Sequence, residues 1–138
     1  KTEEREDFEI FQGQILARNS NYQVIPTDND MDRWDCDVYT TDGSTIPIEI
    51  KRRAMDHDRY PDYLISTNKM AWLNDNKPNG FLAYLFDDGW FLFPVGTDHP
   101  MRKMTVSNPD KGVREEWSYI LKPQDGTFYS YIKKDLPI

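Results

Sequence analysis

The chain has a single cysteine, Cys36, and two histidines, His57 and His99. One thiol cannot close an internal disulfide or build a structural zinc site, so nothing points to an oxidising compartment and a cytoplasmic location is the expectation. The two histidines stand far apart, match no zinc or nuclease spacing, and read as surface loop residues. No Ser–His–Asp set can be assembled, and no glycine-rich phosphate loop is present, which argues against nucleotide hydrolysis. The apolar stretch over residues 81 to 86 has the length of a strand, and no run approaches a membrane span. Lys1 is followed by acidic residues and not by an apolar core, so no secretory signal is legible and no membrane partner is expected. Positive charge is also scarce. Seventeen Lys and Arg face 24 Asp and Glu, for a net charge of −7, which counts against a general nucleic-acid binder.

What remains is rich in aromatics. Four Trp, eight Tyr and seven Phe in 138 residues can supply the burial that offsets chain entropy. The length suits one domain, 1–138. Phe8, Phe11 and Ile15, with Leu16 beside them, predict a helix over residues 2 to 18, with acidic first turns that suit the helix dipole. Residues 22 to 25 read as a strand ended by Pro26, and 27 to 33 as a polar loop. Residues 34 to 40 and 45 to 51 alternate around Asp42-Gly43-Ser44, a hairpin signal. A charged loop over 52 to 62 precedes a helix over 65 to 74 with Ser66 or Thr67 as cap. Residues 81 to 86 and 90 to 95 form a second hairpin about Asp87-Asp88-Gly89. Residues 96 to 112 read as loop, and 115 to 121 and 127 to 132 as further edge strands. This order predicts an α/β fold with a mixed central sheet flanked by helices.

The central hairpin carries the chemistry. A two-residue turn at Asp42-Gly43 would pair Val38 with Pro47 and Asp37 with Ile48, mixing apolar and acidic side chains on both faces. A three-residue turn over 42 to 44 instead pairs Cys36 with Ile50, Val38 with Ile48 and Thr40 with Ile46 on one apolar face. The opposite face then pairs Asp37 with Glu49 and Asp35 with Lys51. Two carboxylates placed side by side repel, and a hard divalent cation between them relieves that repulsion. Lys51, two residues after Glu49, projects from the same face, where an ammonium can stabilise charge on a phosphate or orient a water. The bland alternative is a solvated strand face with ordinary ion pairs. Cys36, on the apolar face, reads as a core residue.

The run Asp37…Glu49-Ile50-Lys51 resembles the core motif of the PD-(D/E)xK nuclease superfamily, which includes restriction endonucleases and Holliday-junction resolvases. The resemblance covers about residues 2 to 95 and implies a restriction-endonuclease-like core (α-β-β-β-α-β), with 96–138 as a C-terminal extension. It implies a DNA endonuclease using Mg²⁺ or Mn²⁺, with DNA as partner. Asp37 and Glu49 would bind the metal, Lys51 would be catalytic, and the Ile50 carbonyl would be a further ligand. Asp35 is the alternative to Asp37, or a second ligand. Many members add a first-helix Glu; Glu4 is favoured here over Glu9. Cys36 stands where the motif has proline. Arg52, Arg53 and Lys69 are candidates for gripping substrate phosphates; for each, a solvated surface position is the competing reading. Tyr60 and Tyr63 read as core cover, with base stacking as the alternative. Two further readings stay open: a catalytically silent module of the same fold binding DNA or a protein, which the acidic charge favours, and an interaction domain whose aromatic C-terminal segment (Trp117, Tyr119, Phe128, Tyr129, Tyr131) forms a homodimer interface. Small domains of this type occur among phage and mobile-element proteins.

Overall fold

The computed structural model describes residues 2–27, 34–110 and 112–133. Along the chain these form α1 (Thr2–Arg18), β1 (Gln23–Pro26), β2 (Cys36–Tyr39), β3 (Thr45–Arg52), β4 (Tyr63–Ser66), α2 (Thr67–Asn76), β5 (Phe81–Leu85), β6 (Gly89–Pro94), β7 (Met101–Asn108), β8 (Gly112–Leu121) and β9 (Thr127–Ser130). The fold is α/β with a mixed central sheet of six strands, in the order β1-β2-β3-β5-β6-β9. Among the described residues its one parallel pair is β3 with β5; the chain between them runs through β4 and α2, as a crossover between parallel strands must. A second sheet orders β4-β8-β7. Of the polar loop predicted over 27 to 33, residues 28 to 33 lie outside the described residues. Among the described residues no helix is long and apolar enough to cross a membrane.

The central sheet is covered on both faces because alternate residues of its strands are apolar on both. On one side α1 inserts Phe11, fully buried, against Cys36, Val38, Ile48, Ala83, Leu85 and Trp90, with Phe8 and Ile15 beside it. This is the helical stripe the spacing predicts. The Phe11 ring meets Trp90 edge-on at 5.7 Å, an arrangement that favours the ring quadrupoles. On the other side Met70 and Leu73 of α2 and Tyr63 and Ile65 of β4 pack on Leu82, Tyr84, Phe86, Phe91 and Phe93. Burial of each of these large side chains contributes about 1.5–3 kcal/mol. Ser66 caps α2 by accepting a hydrogen bond from the Lys69 backbone N–H at 3.0 Å.

Three expectations need correction. First, the helix predicted over 65 to 74 begins at Thr67, and the residues before it form β4; Tyr63 and Ile65 face the core while Leu64 and Ser66 do not, a period of two over too few residues to separate from a helix turn. Second, residues 101 to 108, predicted as loop, are β7, paired with β8 from Met101↔Tyr119 to Asn108↔Gly112. This ribbon is exposed over most of its length, and in β7 Met101, Met104 and Val106 do not keep the period of two that marks a strand; cross-strand pairs such as Lys103–Glu115 at 2.6 Å help to hold it. Third, the central hairpin is shifted by two residues. Cys36 pairs with Ile48, Val38 with Ile46 and Asp37 with Pro47. The loop is Thr41-Asp42-Gly43: Thr40 N–H donates to the Ser44 carbonyl at 3.0 Å, and Gly43 has φ +87°. A three-residue loop of this kind puts its left-handed residue last, which is where glycine is needed. The Asp42 carboxylate fixes the loop by accepting from the Ser44 N–H at 3.1 Å and from the Thr40 hydroxyl.

Beyond residue 95, β9 pairs with β6 and is the sixth strand of the central sheet. The close fit sits at Gly89, where a Cβ would lie 2.4 Å from the Phe128 ring and 2.5 Å from the Tyr129 carbonyl.

Candidate active site

An even shift of register keeps every side chain on its face, so Asp37, Glu49 and Lys51 share the face that packs under α2. The shift changes which of them are neighbours. Asp37 lies opposite Pro47, which makes it a diagonal neighbour of Glu49, at roughly 7–8 Å, and not its direct partner. Its Oδ1 accepts a hydrogen bond from the Trp34 indole N–H at 3.0 Å. Trp34 in turn stacks on Trp72 of α2, 6.2 Å between centroids, and carries the Lys77 ammonium 4.0 Å from its ring.

Asp35 takes the position beside Glu49. β2 leaves the ladder at Cys36, and β3 runs on, so the Ile50 N–H would lack a strand partner. The Asp35 carboxylate accepts that N–H at 2.6 Å, while the Asp35 backbone N–H donates to the Ile48 carbonyl at 2.8 Å. The predicted pair of Asp35 with Lys51 is therefore replaced by a contact of Asp35 with the β3 backbone between Ile48 and Ile50. Ile50 stands as the residue between Glu49 and Lys51, its N–H held by Asp35.

Among the described residues Glu49 is the one charged residue that is buried, 6% exposed. Its Oε2 lies 3.1 Å from the Lys69 Nζ and 3.4 Å from the Lys51 Nζ. Burial, reinforced by the charge of Asp35, pushes its carboxyl up to about 7, and the two lysines pull the other way. The lysines thus offset only part of the cost of placing this carboxylate here. A buried acid raised toward neutrality by desolvation and a second carboxylate marks a candidate functional site. A divalent cation that keeps several waters and one or two carboxylates suits Asp35 and Glu49 as a donor set.

The other predicted residues divide. Lys69 comes directly onto Glu49, because the parallel β3–β5 pairing and the cap at Ser66 lay the first turn of α2 over β3. Arg53 remains on the site's face, with its guanidinium 5.3 Å over the Tyr84 ring. Arg52 does not: it alternates to the α1 face and pairs with Asp7 at 3.1 Å. Glu4 is exposed on α1, and α1 packs on the face opposite Glu49; Glu9 pairs with Arg5 at 3.3 Å. Neither glutamate stands with Glu49. Cys36 is fully buried on the α1 face, and burial, with the nearby Asp35, Asp37 and Glu49 charges, pushes its thiol far up, so it cannot serve as a nucleophile.

Both histidines lie in loops, as read from sequence, and each has an acidic partner. For His57 the Nδ1 lies 2.5 Å from the Asp88 carboxylate, the backbone N–H donates to the same group at 2.9 Å, and the ring stacks on Phe128 at 4.0 Å. With Asp58 it forms the one group of three His or acidic ligand atoms within 4.8 Å among the described residues. His99 lies 3.6 Å from Asp125. Tyr84, missed from sequence, is the β5 partner of Lys51 and walls the site; its burial beside an acid is legible only once β3 and β5 are known to pair.

No protein-family model matches the chain, and no curated protein matches it significantly.

Proposed function

We propose that the chain is a divalent-metal-dependent nuclease that hydrolyses DNA phosphodiester bonds, with a restriction-endonuclease-like core. The observation that carries this reading is the buried Glu49 carboxylate, raised to about 7, with Asp35 on one side and the Lys51 and Lys69 ammoniums on the other. Asp35 and Glu49 would hold Mg²⁺ or Mn²⁺, with the Ile50 carbonyl as a further ligand by resemblance; Asp37, tied to Trp34, would orient the group from one position away. When bound, such a cation supplies Lewis-acid polarisation of a phosphoryl oxygen and a more acidic water. The Lys51 and Lys69 ammoniums hold the negative charge that develops on the phosphate. Arg53 grips the neighbouring phosphate.

The test is cleavage of single-stranded, duplex and branched DNA with Mg²⁺ or Mn²⁺, comparing the wild type with Lys51→Ala and Glu49→Ala. Cleavage that needs the cation and is lost in both variants supports the proposal. Absence of cleavage on every substrate contradicts it.

A second reading has its own observation. Both lysines already sit on one Glu49 oxygen, as they would in a closed ion cluster that only supports the fold of a binding module. In that case Glu49→Ala unfolds the protein and added cation changes nothing.

A further inference from the structure

Next to the acidic centre lies a cleft of about 490 Å³ whose walls include Arg53, Tyr60, Tyr63, Leu64, Arg102 and Met104. Its volume is in the range of small-ligand sites. It shares a wall with the Glu49 centre. Lys51 and Arg53 are two residues apart on one extended segment, which the Arg53 N–H continues by donating to the Leu85 carbonyl at 2.8 Å, so their side chains leave the same face. The Arg53 guanidinium covers the ring of Tyr84, the residue paired with Lys51. The Tyr84 hydroxyl donates to the Leu64 carbonyl at 2.8 Å, and Leu64 lines the cleft. One aromatic ring therefore separates the two.

The lining suits a flat ring with an anion attached. Tyr63 is buried and supplies an inner wall, while Tyr60 is 54% exposed at the mouth, with the Arg59 guanidinium 5.8 Å over its ring. Leu64 and Met104 are apolar. Among the described residues no carboxylate pairs with Arg53, whose guanidinium donates to the Arg52 carbonyl at 3.0 Å. Arg102 is held by both oxygens of Asp62 at 3.4 and 3.1 Å, which fixes it at the rim. The lining therefore carries one arginine without a carboxylate partner, Arg53, and one Arg102–Asp62 ion pair, with Arg59 beside them on Tyr60.

We infer that this cleft takes an unpaired nucleobase of the DNA strand whose phosphate lies at the Asp35–Glu49 centre. A base within a duplex is stacked and paired, and cannot enter a walled slot without being extruded; an unpaired base can enter and stack on Tyr60. The inference rests on the nuclease reading, since that centre is what makes a nucleic-acid strand the occupant. It implies a preference for single-stranded or junction DNA over continuous duplex. The wall formed by Met104 and Arg102 comes from β7, so the second sheet completes the slot.

The test uses a fluorescein-labelled oligothymidylate and a blunt hairpin duplex, with binding followed by anisotropy in EDTA and cleavage followed in parallel with Mn²⁺. The single strand should bind at least about 10-fold tighter than the duplex, and Tyr60→Ala should lose about 5- to 10-fold on the single strand alone. Met104→Trp, which fills the slot, should do the same. Equal affinity for the two probes, or unchanged single-strand affinity in Tyr60→Ala, overturns the slot; if cleavage persists in that case, the nuclease reading survives. Loss of single-strand binding in Tyr60→Ala, with no cleavage by any form, upholds the slot and overturns only the hydrolytic role of the Glu49 centre.

Discussion

Replacing Glu49 by Gln should stabilise the metal-free protein at alkaline pH. The carboxyl titrates near 4.5 in the unfolded chain and is raised to about 7 in the fold, chiefly by burial and then by Asp35. Below pH 4.5 it is protonated in both states and costs nothing. Between pH 4.5 and 7 the unfolded chain gives up its proton while the folded one keeps it, so stability falls as pH rises. Above pH 7 the full cost is present, about 3 kcal/mol for a shift of this size. Gln keeps the shape of the protonated acid and carries no charge. In EDTA at pH 8 the variant should therefore be more stable than wild type by up to about 3 kcal/mol, roughly 10 °C in Tm. At pH 4.5 the two should coincide. Urea or thermal melts across this range read the difference, and titrating groups remote from Glu49 cancel. A variant less stable than wild type at pH 8 would refute the reasoning: Lys51 and Lys69 would then outweigh burial, and Glu49 would be the centre of a structural ion cluster.

Three further outcomes follow from the geometry. Lys69→Met removes a charge that lowers the Glu49 pKa, so a carboxyl-carbon NMR titration should find Glu49 above its wild-type value; an unchanged value would show that the 3.1 Å contact carries no weight. Gly89→Ala places a Cβ against the Phe128 ring and the Tyr129 carbonyl, which should cost about 1–3 kcal/mol in a denaturant melt by forcing β9 off the sheet. The Cys36 thiol, fully buried with its pKa pushed up, should resist a thiol reagent at pH 8 until denaturant is added; prompt labelling of the native protein would contradict its burial.

The faces of the central hairpin were legible in the sequence, and its register was not. A period of two fixes which side Asp37, Glu49 and Lys51 share, but any even slide of the strands preserves that pattern. Only the loop decides the slide, and there the need for Gly43 in the last position, braced by the Asp42 carboxylate, outweighs apolar matching. That slide exchanges Asp37 for Asp35 beside Glu49, with Asp35 held by a backbone contact to Ile50 that no pattern of side chains announces. Phe8, Phe11 and Ile15 marked α1 correctly, and Ser66 marked the start of α2. Lys69 was named as a phosphate contact, but its contact with Glu49 depends on the parallel pairing of β3 and β5, a long-range fact. Of the second sheet, the strand over 115 to 121 was legible and its partners were not: β7 mixes Met101, Met104 and Val106 with charged and polar residues without a period of two, and the exposed ribbon is held by pairing and by contacts such as Arg102 with Asp62.

The most direct measurement is calorimetric titration of Mn²⁺ into the wild type, Asp35→Asn and Asp37→Asn at pH 7.5. One cation per chain should bind the wild type, Asp35→Asn should weaken it by far more than Asp37→Asn, and the latter should lose about 10- to 100-fold at most, as outer contacts do. No heat of binding in the wild type, or binding that survives Asp35→Asn unchanged, would contradict a metal centre at Asp35 and Glu49.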